Sequence, residues 1–378
     1  MRALLVLALL AACDGDAPAT IDAGGGGGGS DGAMIDAPAA PTRFVAYISG
    51  GADIAWYDVD KSTGALAAIS STAAFRTGAN FLAFHGDYLY AVTSGNRVGG
   101  YSIDPATAAL TFINDVASGG PGASGPAHVA IDATGKFVFT ANYGSGHIAV
   151  MPVQAGGTLG AAAQTILSGA NAHQIITDQS NKYVVVPCLG DDKVTQYTFN
   201  ATTGTLTPNA VPQLDTANGA GPRHIAFTPD NKRAYLINEL NSTLSALSFD
   251  AATGRLTELQ TLSTRAAGAM GTNTTAEVVV HPNGKFVYGS NRGDNNIVVF
   301  SIDAATGMVA LVEHESTQGM TPRNFTIDPS GSFLYAANQN SNSVVPFAID
   351  ATTGRLTPTA TPITVPTPQF VGIVELPL

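Results

Sequence analysis

Residues 221–260 read GPRHIAFTPDNKRAYLINELNSTLSALSFDAATGRLTELQ. Four short runs in this stretch, His224 to Phe227, Arg233 to Asn238, Thr243 to Phe249 and Leu256 to Leu262, are rich in Ile, Val, Tyr, Phe, Leu and Ala. Such runs suit a pleated, half-buried surface and read as strands. Between them stand turn formers: Pro229-Asp230-Asn231, Asn241-Ser242 and Asp250 to Gly254. None of the runs has the length or the 3.6-residue period of a helix. The stretch is predicted to be one four-stranded antiparallel meander.

The same unit recurs along the chain. Its second strand is repeated at Phe44 to Ile48, Tyr88 to Val92, Phe137 to Ala141, Tyr183 to Pro187, Ala234 to Asn238, Phe286 to Ser290 and Phe333 to Ala337. The turn before that strand recurs at Asp132 to Gly135, Asp178 to Asn181, Thr228 to Asn231, His281 to Gly284 and Asp328 to Gly331. The turn between the third and fourth strands recurs at Asp60 to Gly64, Asn200 to Gly204, Asp250 to Gly254, Asp303 to Gly307 and Asp350 to Gly354. In each of these turns an Asx side chain can bond local backbone N–H groups, and glycine supplies a positive φ. Four strands in a period of roughly 40 to 50 residues indicate a β-propeller. The expected fold is all-β, a seven-bladed β-propeller over residues 43–378. The first copy lacks its innermost strand, and Gln369 to Val374 remains as a spare one at the other end of the chain. That strand is expected to close the ring and remove an open sheet edge.

Composition agrees. Of 378 residues 45% are apolar and only 12% charged, against roughly 25% charged in an average domain. The net charge of −11 argues against nucleic acid, whose binders carry a basic face. Two cysteines exclude a disulfide-stapled scaffold. No His, Cys or Asp cluster has the spacing of a metal site, and no cofactor is expected.

The N-terminus reads as a targeting segment. Met1-Arg2, the apolar run Ala3 to Leu10 and the ending Leu10-Ala11-Ala12-Cys13 look like a bacterial lipoprotein leader, with residues 1–12 removed and Cys13 lipidated. The apolar run is too short to span a bilayer. Residues 14–42 hold Gly24 to Gly29, five aspartates and no Lys or Arg, so they have little to bury and are expected to form a flexible tether with a reach of about 30 Å. The expected location is extracytoplasmic, on a bacterial membrane through a lipid anchor alone, in the periplasm or at the cell surface. A monomer is expected, because a closed ring leaves no unpaired edge.

Several segments resemble, in blade order and across residues 43–378, those of the seven-bladed propeller lactonases. They are Gly221-Pro222-Arg223-His224, Asn238-Glu239, Ser290-Asn291-Arg292-Gly293, Pro322-Arg323-Asn324-Phe325 and Ala337-Asn338-Gln339. The group includes propeller-type bacterial 6-phosphogluconolactonases and fungal carboxymuconate-lactonizing enzymes. The resemblance implies a small-molecule lactone as partner and a catalytic set of His173, Arg223, Glu239 and Arg292. His224, Arg323, Asn324 and Gln339 stand in these segments and, with His128 and Glu277 of the channel-lining strands, are expected to bind the substrate. Opening a lactone with water needs a base, for which either Glu239 or His173 fits, and fixed positive charge at the developing oxyanion. Arg223 and Arg292 fit that second role and suit a substrate carboxylate or phosphate.

In a propeller the first strand of each blade lines the central channel. His128, His173, His224, Glu277, Asn324 and Gln369 are read as equivalent positions at the start of that strand. Duller roles stand beside these. His128 and His224 also read as structural hydrogen-bonding groups, Arg223 with Glu239 as an ion pair between blades, and Arg292 as a turn arginine. His281 and His85 read as solvated. The relatives often carry Asp where this chain has Cys188, which reads as a small buried residue rather than a nucleophile, since no matched His/Asn context accompanies it. The expected function is hydrolysis of a lactone of a sugar acid or related carboxylate at the channel mouth. The alternative is a non-catalytic extracytoplasmic propeller that binds a ligand or protein there.

Overall fold

The computed structural model describes residues 41–73 and 78–378. Every turn foreseen above separates strands, and these assemble into seven antiparallel sheets arranged as blades. The quoted stretch forms the fifth blade, from Pro222–Phe227, Arg233–Asn238, Thr243–Asp250 and Arg255–Ser263 in that order from the inside out. The second, third, fourth, sixth and seventh blades have their innermost strands at Phe81–His85, Pro126–Ile131, Ile176–Thr177, Thr275–Val280 and Pro322–Ile327. In the first blade the innermost strand is Pro368–Pro377, paired antiparallel with Thr42–Gly50. The C-terminal strand thus closes the ring, as expected. Among the described residues the only helical elements are three single turns, Ala155–Gly157, Leu189–Asp191 and Gln339–Ser341.

Second strands such as Phe137–Asn142, Phe286–Asn291 and Phe333–Asn338 are buried along their whole length, because both faces meet neighbouring blades. The core is accordingly a ring of apolar seams. Tyr47 and Trp56 of the first blade pack with Leu89 and Tyr101 of the second; Tyr235 and Ile237 of the fifth pack with Val278 and Phe300 of the sixth. The last seam joins Phe333 and Tyr335 of the seventh blade to Phe44 and Ile48 of the first. A tyrosine in the second strand also reaches the outer turn of the next blade. The hydroxyls of Tyr47, Tyr90, Tyr235 and Tyr288 donate to the carbonyls of Ala108, Gly157, Gly307 and Gly354 at 2.7 to 3.1 Å. At Gly254 and Gly354 the turn needs φ near +71° and +74°, and a Cβ there would strike the ring of Tyr183 or Phe286. Glycine is therefore required twice over.

Two copies shift by one residue: Tyr47 and Tyr235 make the hydrogen bond that Tyr90 makes as third residue of its copy, which starts the first-blade copy at Val45 rather than Phe44 and the fifth-blade copy at Arg233 rather than Ala234. Phe44 and Tyr47 lie three apart, so they face opposite seams, and alternation alone permits either alignment.

Candidate active site

The innermost strand of every blade but the second begins with a β-bulge. In the fifth blade Pro222 pairs with Asn238 and His224 with Ile237, leaving Arg223 as the extra residue. The same shift leaves Ala127, Arg323 and Gln369 as extra residues in the third, seventh and first blades. In the fourth blade Ala172 bridges Cys188 while Ile176 pairs with Val185, so His173 takes the bulge and Gln174 the position after it. A bulge sets two residues against one and re-aims side chains. It therefore delivers two successive residues to the channel instead of one.

This corrects the equivalence read from sequence. His173 and Gln369 do not align with His128, His224, Glu277 and Asn324; they belong one residue earlier, with Arg223 and Arg323. The deeper level is Phe81, His128, Gln174, His224, Glu277, Asn324 and Phe370. A count from the following turn finds it, since His128, Gln174, His224, Glu277 and Asn324 all lie four residues before Asp132, Asp178, Thr228, His281 and Asp328.

A belt of hydrogen bonds runs through His224, Glu277 and Asn324 of the deeper level and is joined from the level above by His173. His173 Nδ1 lies 3.2 Å from His224 Nε2, and His224 Nδ1 lies 2.8 Å from Glu277 Oε1. Asn324 Nδ2 donates to Glu277 Oε2 at 2.6 Å, and the backbone N–H of Val371 donates to Asn324 Oδ1 at 2.9 Å. The chain of bonds crosses from the fourth blade to the first. Val278 N–H adds a bond to Glu277 Oε1 at 3.1 Å. His128, His224, Glu277 and Asn324 are at most 5% exposed. His128 packs against Phe81 with ring centres 4.1 Å apart, and its Nδ1 is buried without a partner.

Above the belt sits a charged clamp. Arg223 comes from the start of the first strand and Glu239 from just past the end of the antiparallel second strand, so both reach one mouth. Arg223 Nε stands 2.9 Å from Glu239 Oε2, and Arg292 Nη2 stands 2.6 Å from Glu239 Oε1. The Arg223–Glu239 pair is within one blade, not between two as expected from sequence; Arg292 brings in the sixth blade. Arg223 Nη1 donates to the carbonyl of Ala276 at 2.6 Å. Both Nε–H groups are buried without a well-aligned acceptor. Both carboxylate oxygens of Glu239 are thus held by guanidinium groups.

Arg323 lines the same axial cavity with Asn80, His173, Arg223 and Gln369, and no hydrogen bond or ion pair joins it to any described residue. Gln339 stands at the position after the second strand, equivalent to Glu239 and Arg292, its N–H bonded to the carbonyl of Thr321 at 2.9 Å. Tyr143 holds that position in the third blade and packs edge-on against His173, centres 5.5 Å apart. Tyr143 belongs to none of the segments quoted from the sequence, although it follows Asn142 as Glu239 follows Asn238.

Burial dominates the electrostatics. It pushes His173 and His128 well below the ordinary imidazole range, with Arg223 and His224 adding to the effect on both. His224 is lowered by burial and Arg223 against the pull of Glu277. Burial raises the Glu277 carboxyl, but the hydrogen bonds from His224 and Val278 and the charge of Arg223 outweigh it and lower the group. Arg223 is pushed down to about 9 by burial and by Arg323, against the attraction of Glu239, and stays charged at neutral pH. Arg323 is lowered by burial and by Arg292.

The axial cavity has a volume of about 10 Å³, room for no more than a water. A hollow of 750 Å³ lies at the opposite end of the first strands, between Thr134, Ser180, Lys182 and Asn200, but no titratable groups converge there. Cys188 is fully buried, its thiol raised by burial, with Ser168 Oγ at 3.8 Å. It replaces the strand-end asparagines Asn142, Asn238, Asn291 and Asn338 and is structural. His281, read as solvated, is 4% exposed; its Nε2 lies 2.8 Å from the carbonyl of Gly331 and its Nδ1 accepts from Asn283 N–H. His85 is exposed, as read.

Fold and site together define a seven-bladed propeller with a cationic, histidine-backed channel mouth. The chain belongs to the family described as "Lactonase, 7-bladed beta-propeller", whose family model matches residues 42–373. It is 35% identical over 202 residues to a 6-phosphogluconolactonase of Pectobacterium carotovorum, a match covering 53% of this chain and 60% of that protein. The chain thus spans less than two thirds of that curated relative. The structure is similar to that of the periplasmic gluconolactonase of Pseudomonas aeruginosa (TM-score 0.80, 27% identity, 89% of this chain and 99% of that one). A Lactobacillus plantarum protein of solved structure is similar too (TM-score 0.80, 28% identity, 88% of this chain and 100% of that one).

Proposed function

We propose that this protein is an extracytoplasmic lactone hydrolase acting on the lactone of a sugar acid or a related carboxylate. The observation that carries the reading is the pair of arginines, Arg223 and Arg292, clamped by Glu239 beside His173, their side chains only 3% and 16% exposed. In the proposed reaction His173 Nε2 takes a proton from water as the water oxygen bonds to the lactone carbonyl carbon. Arg223 and Arg292 stabilise the oxyanion. The tetrahedral intermediate then expels the ring oxygen, which recovers the proton, leaving a hydroxy acid. Glu239 orients the guanidinium groups. His128, His224, Glu277 and Asn324 support the site from below, and Gln339 stands at its rim.

Arg323 selects the substrate in this proposal. Three guanidinium groups share Glu239 and Glu277, and the Arg323 side chain forms no ion pair with either, so it suits a phosphate or carboxylate of the ligand. The test is proton release in weak buffer by the purified chain with glucono-δ-lactone, its 6-phospho form and several γ-lactones. Arg323→Gln is expected to raise KM for the phosphorylated lactone by about 10- to 100-fold, the worth of one charge-assisted bond, and to leave the neutral lactone unchanged. Wild-type protein no faster than buffer on every lactone would overturn the hydrolase and favour the non-catalytic binder.

The extracytoplasmic location rests on the leader-like residues 1–12 and is supported by likeness to a periplasmic protein. Cys13 lies outside the described residues; its lipidation, with the tether to residue 42, is part of the proposal. Cys13→Ser is expected to move the protein from the membrane fraction to the soluble one. An unchanged membrane fraction would remove the lipid anchor from the proposal.

A further inference from the structure

We propose that Glu277 is a positioning residue that acts through His224 to fix the tautomer of His173 and to stabilise its charged form. The inference rests on the hydrolase reading for its catalytic meaning, but its structural content stands apart. With His224 held neutral by burial, the geometry leaves one assignment of protons. Glu277 is ionised and accepts from Asn324 Nδ2 and Val278 N–H, so His224 must donate to it from Nδ1. A neutral His224 then offers a lone pair at Nε2, and His173, 3.2 Å away, must fill it with its own Nδ1–H. His173 is left with a lone pair at Nε2, to which no described residue donates. Two imidazoles in series therefore do what a single carboxylate does in shorter arrangements.

Asn324 completes the logic. Its Oδ1 is fixed by Val371 N–H at 2.9 Å, so its amide cannot turn and must present N–H to Glu277. The closing strand of the ring thus sets the orientation of an amide that sets a carboxylate and, through it, two histidines. When His173 takes a proton, its charge is shared along Nδ1–H to His224 and faced by Glu277 two residues down the chain of bonds. No proton needs to move beyond His173. The other charged or titratable groups facing the two rings are Arg223, Arg323, His128 and Tyr143; the first three oppose protonation, and Glu277 is the group that favours it.

Two measurements test this. In the first, ¹⁵N-histidine NMR of the whole protein at neutral pH is expected to show His224 protonated at Nδ1 and bare at Nε2, with the same pattern in His173. A His224 protonated at Nε2 would overturn the relay whether or not the protein hydrolyses lactones. In the second, Glu277→Gln is expected to lower kcat by about 100-fold, the low end for a disabled general base, with KM nearly unchanged. Removing a negative charge disfavours the imidazolium, so the acidic limb of the pH–rate profile should move to lower pH. Asn324→Asp in the same chain restores both a matching hydrogen-bond partner and the charge, and should move the limb back. A Glu277→Gln enzyme that loses rate with its acidic limb unmoved would overturn the relay and leave Glu277 as a structural group.

Discussion

Arg223→Met is expected to reduce kcat/KM for lactone hydrolysis by about 100- to 1,000-fold, the loss produced by removing one fixed oxyanion donor. Methionine retains much of the aliphatic stem, so packing is largely kept while the donor is lost. The effect should be large because Arg223 is held rigidly: it is 3% exposed, anchored by Nη1 to the Ala276 carbonyl and set against Glu239. A preorganised charge needs no reorientation as the oxyanion forms. Glu239 keeps Arg292 as a partner at 2.6 Å, so the fold should survive, at a cost of about 1 to 3 kcal/mol for the lost charged hydrogen bonds. Thermal unfolding and steady-state rates on the same preparation separate the two effects. A folded variant that retains most of its rate would remove Arg223 from the reaction and pass the oxyanion to Arg292.

Deletion of residues 368–378 is expected to abolish cooperative folding. The segment is the innermost strand of the first blade, paired along Thr42–Gly50. It buries Phe370, Val371 and Leu376 at 8%, 1% and 4% exposure. At about 1.5 to 3 kcal/mol for each such side chain the loss is roughly 5 to 9 kcal/mol, a size comparable to the whole stability of a typical domain, about 5 to 15 kcal/mol. Phe370 also packs on Phe81 with ring centres 4.5 Å apart, and Val371 N–H holds Asn324. The truncation therefore strips the belt as well as the blade, and it leaves the Thr42–Gly50 edge open to aggregation. A truncated protein that melts at the wild-type temperature would show that the ring is closed by other contacts.

The second strand of the quoted stretch, Arg233–Asn238, appears in the structure with the bounds read from sequence, and the other second strands differ by no more than a residue or two at either end. This part was legible because it is local. An Asx turn is made by its own side chain, as where Asp250 Oδ1 accepts from Ala252 N–H at 2.9 Å, and the pattern is restated in blade after blade. His281 shows the reverse. It occupies a turn position where sequence suggests solvent, yet Gly331 of the next blade covers it, and nothing in the residues around His281 announces that neighbour.

The bulges mark the boundary within the site itself. Arg223, Glu239 and Arg292 were legible as candidates from their motifs, but an inserted residue is invisible to two-residue alternation, so His173 was placed one level too deep and Gln369 with it. Phe81, Phe370 and Tyr143 carry no motif, and only their places in the ring bring them to the histidines.

By itself, then, the sequence determined the number of blades, the strand order within each and the source of the closing strand, because each is encoded in short-range turn chemistry and in the repetition of one unit. Only the tertiary structure decided which polar groups meet. The contacts His173–His224, His224–Glu277 and Glu277–Asn324 each join residues about one repeat apart. Their proton positions follow from the closed chain of donors and acceptors, which exists only once the last strand has taken its place beside the first.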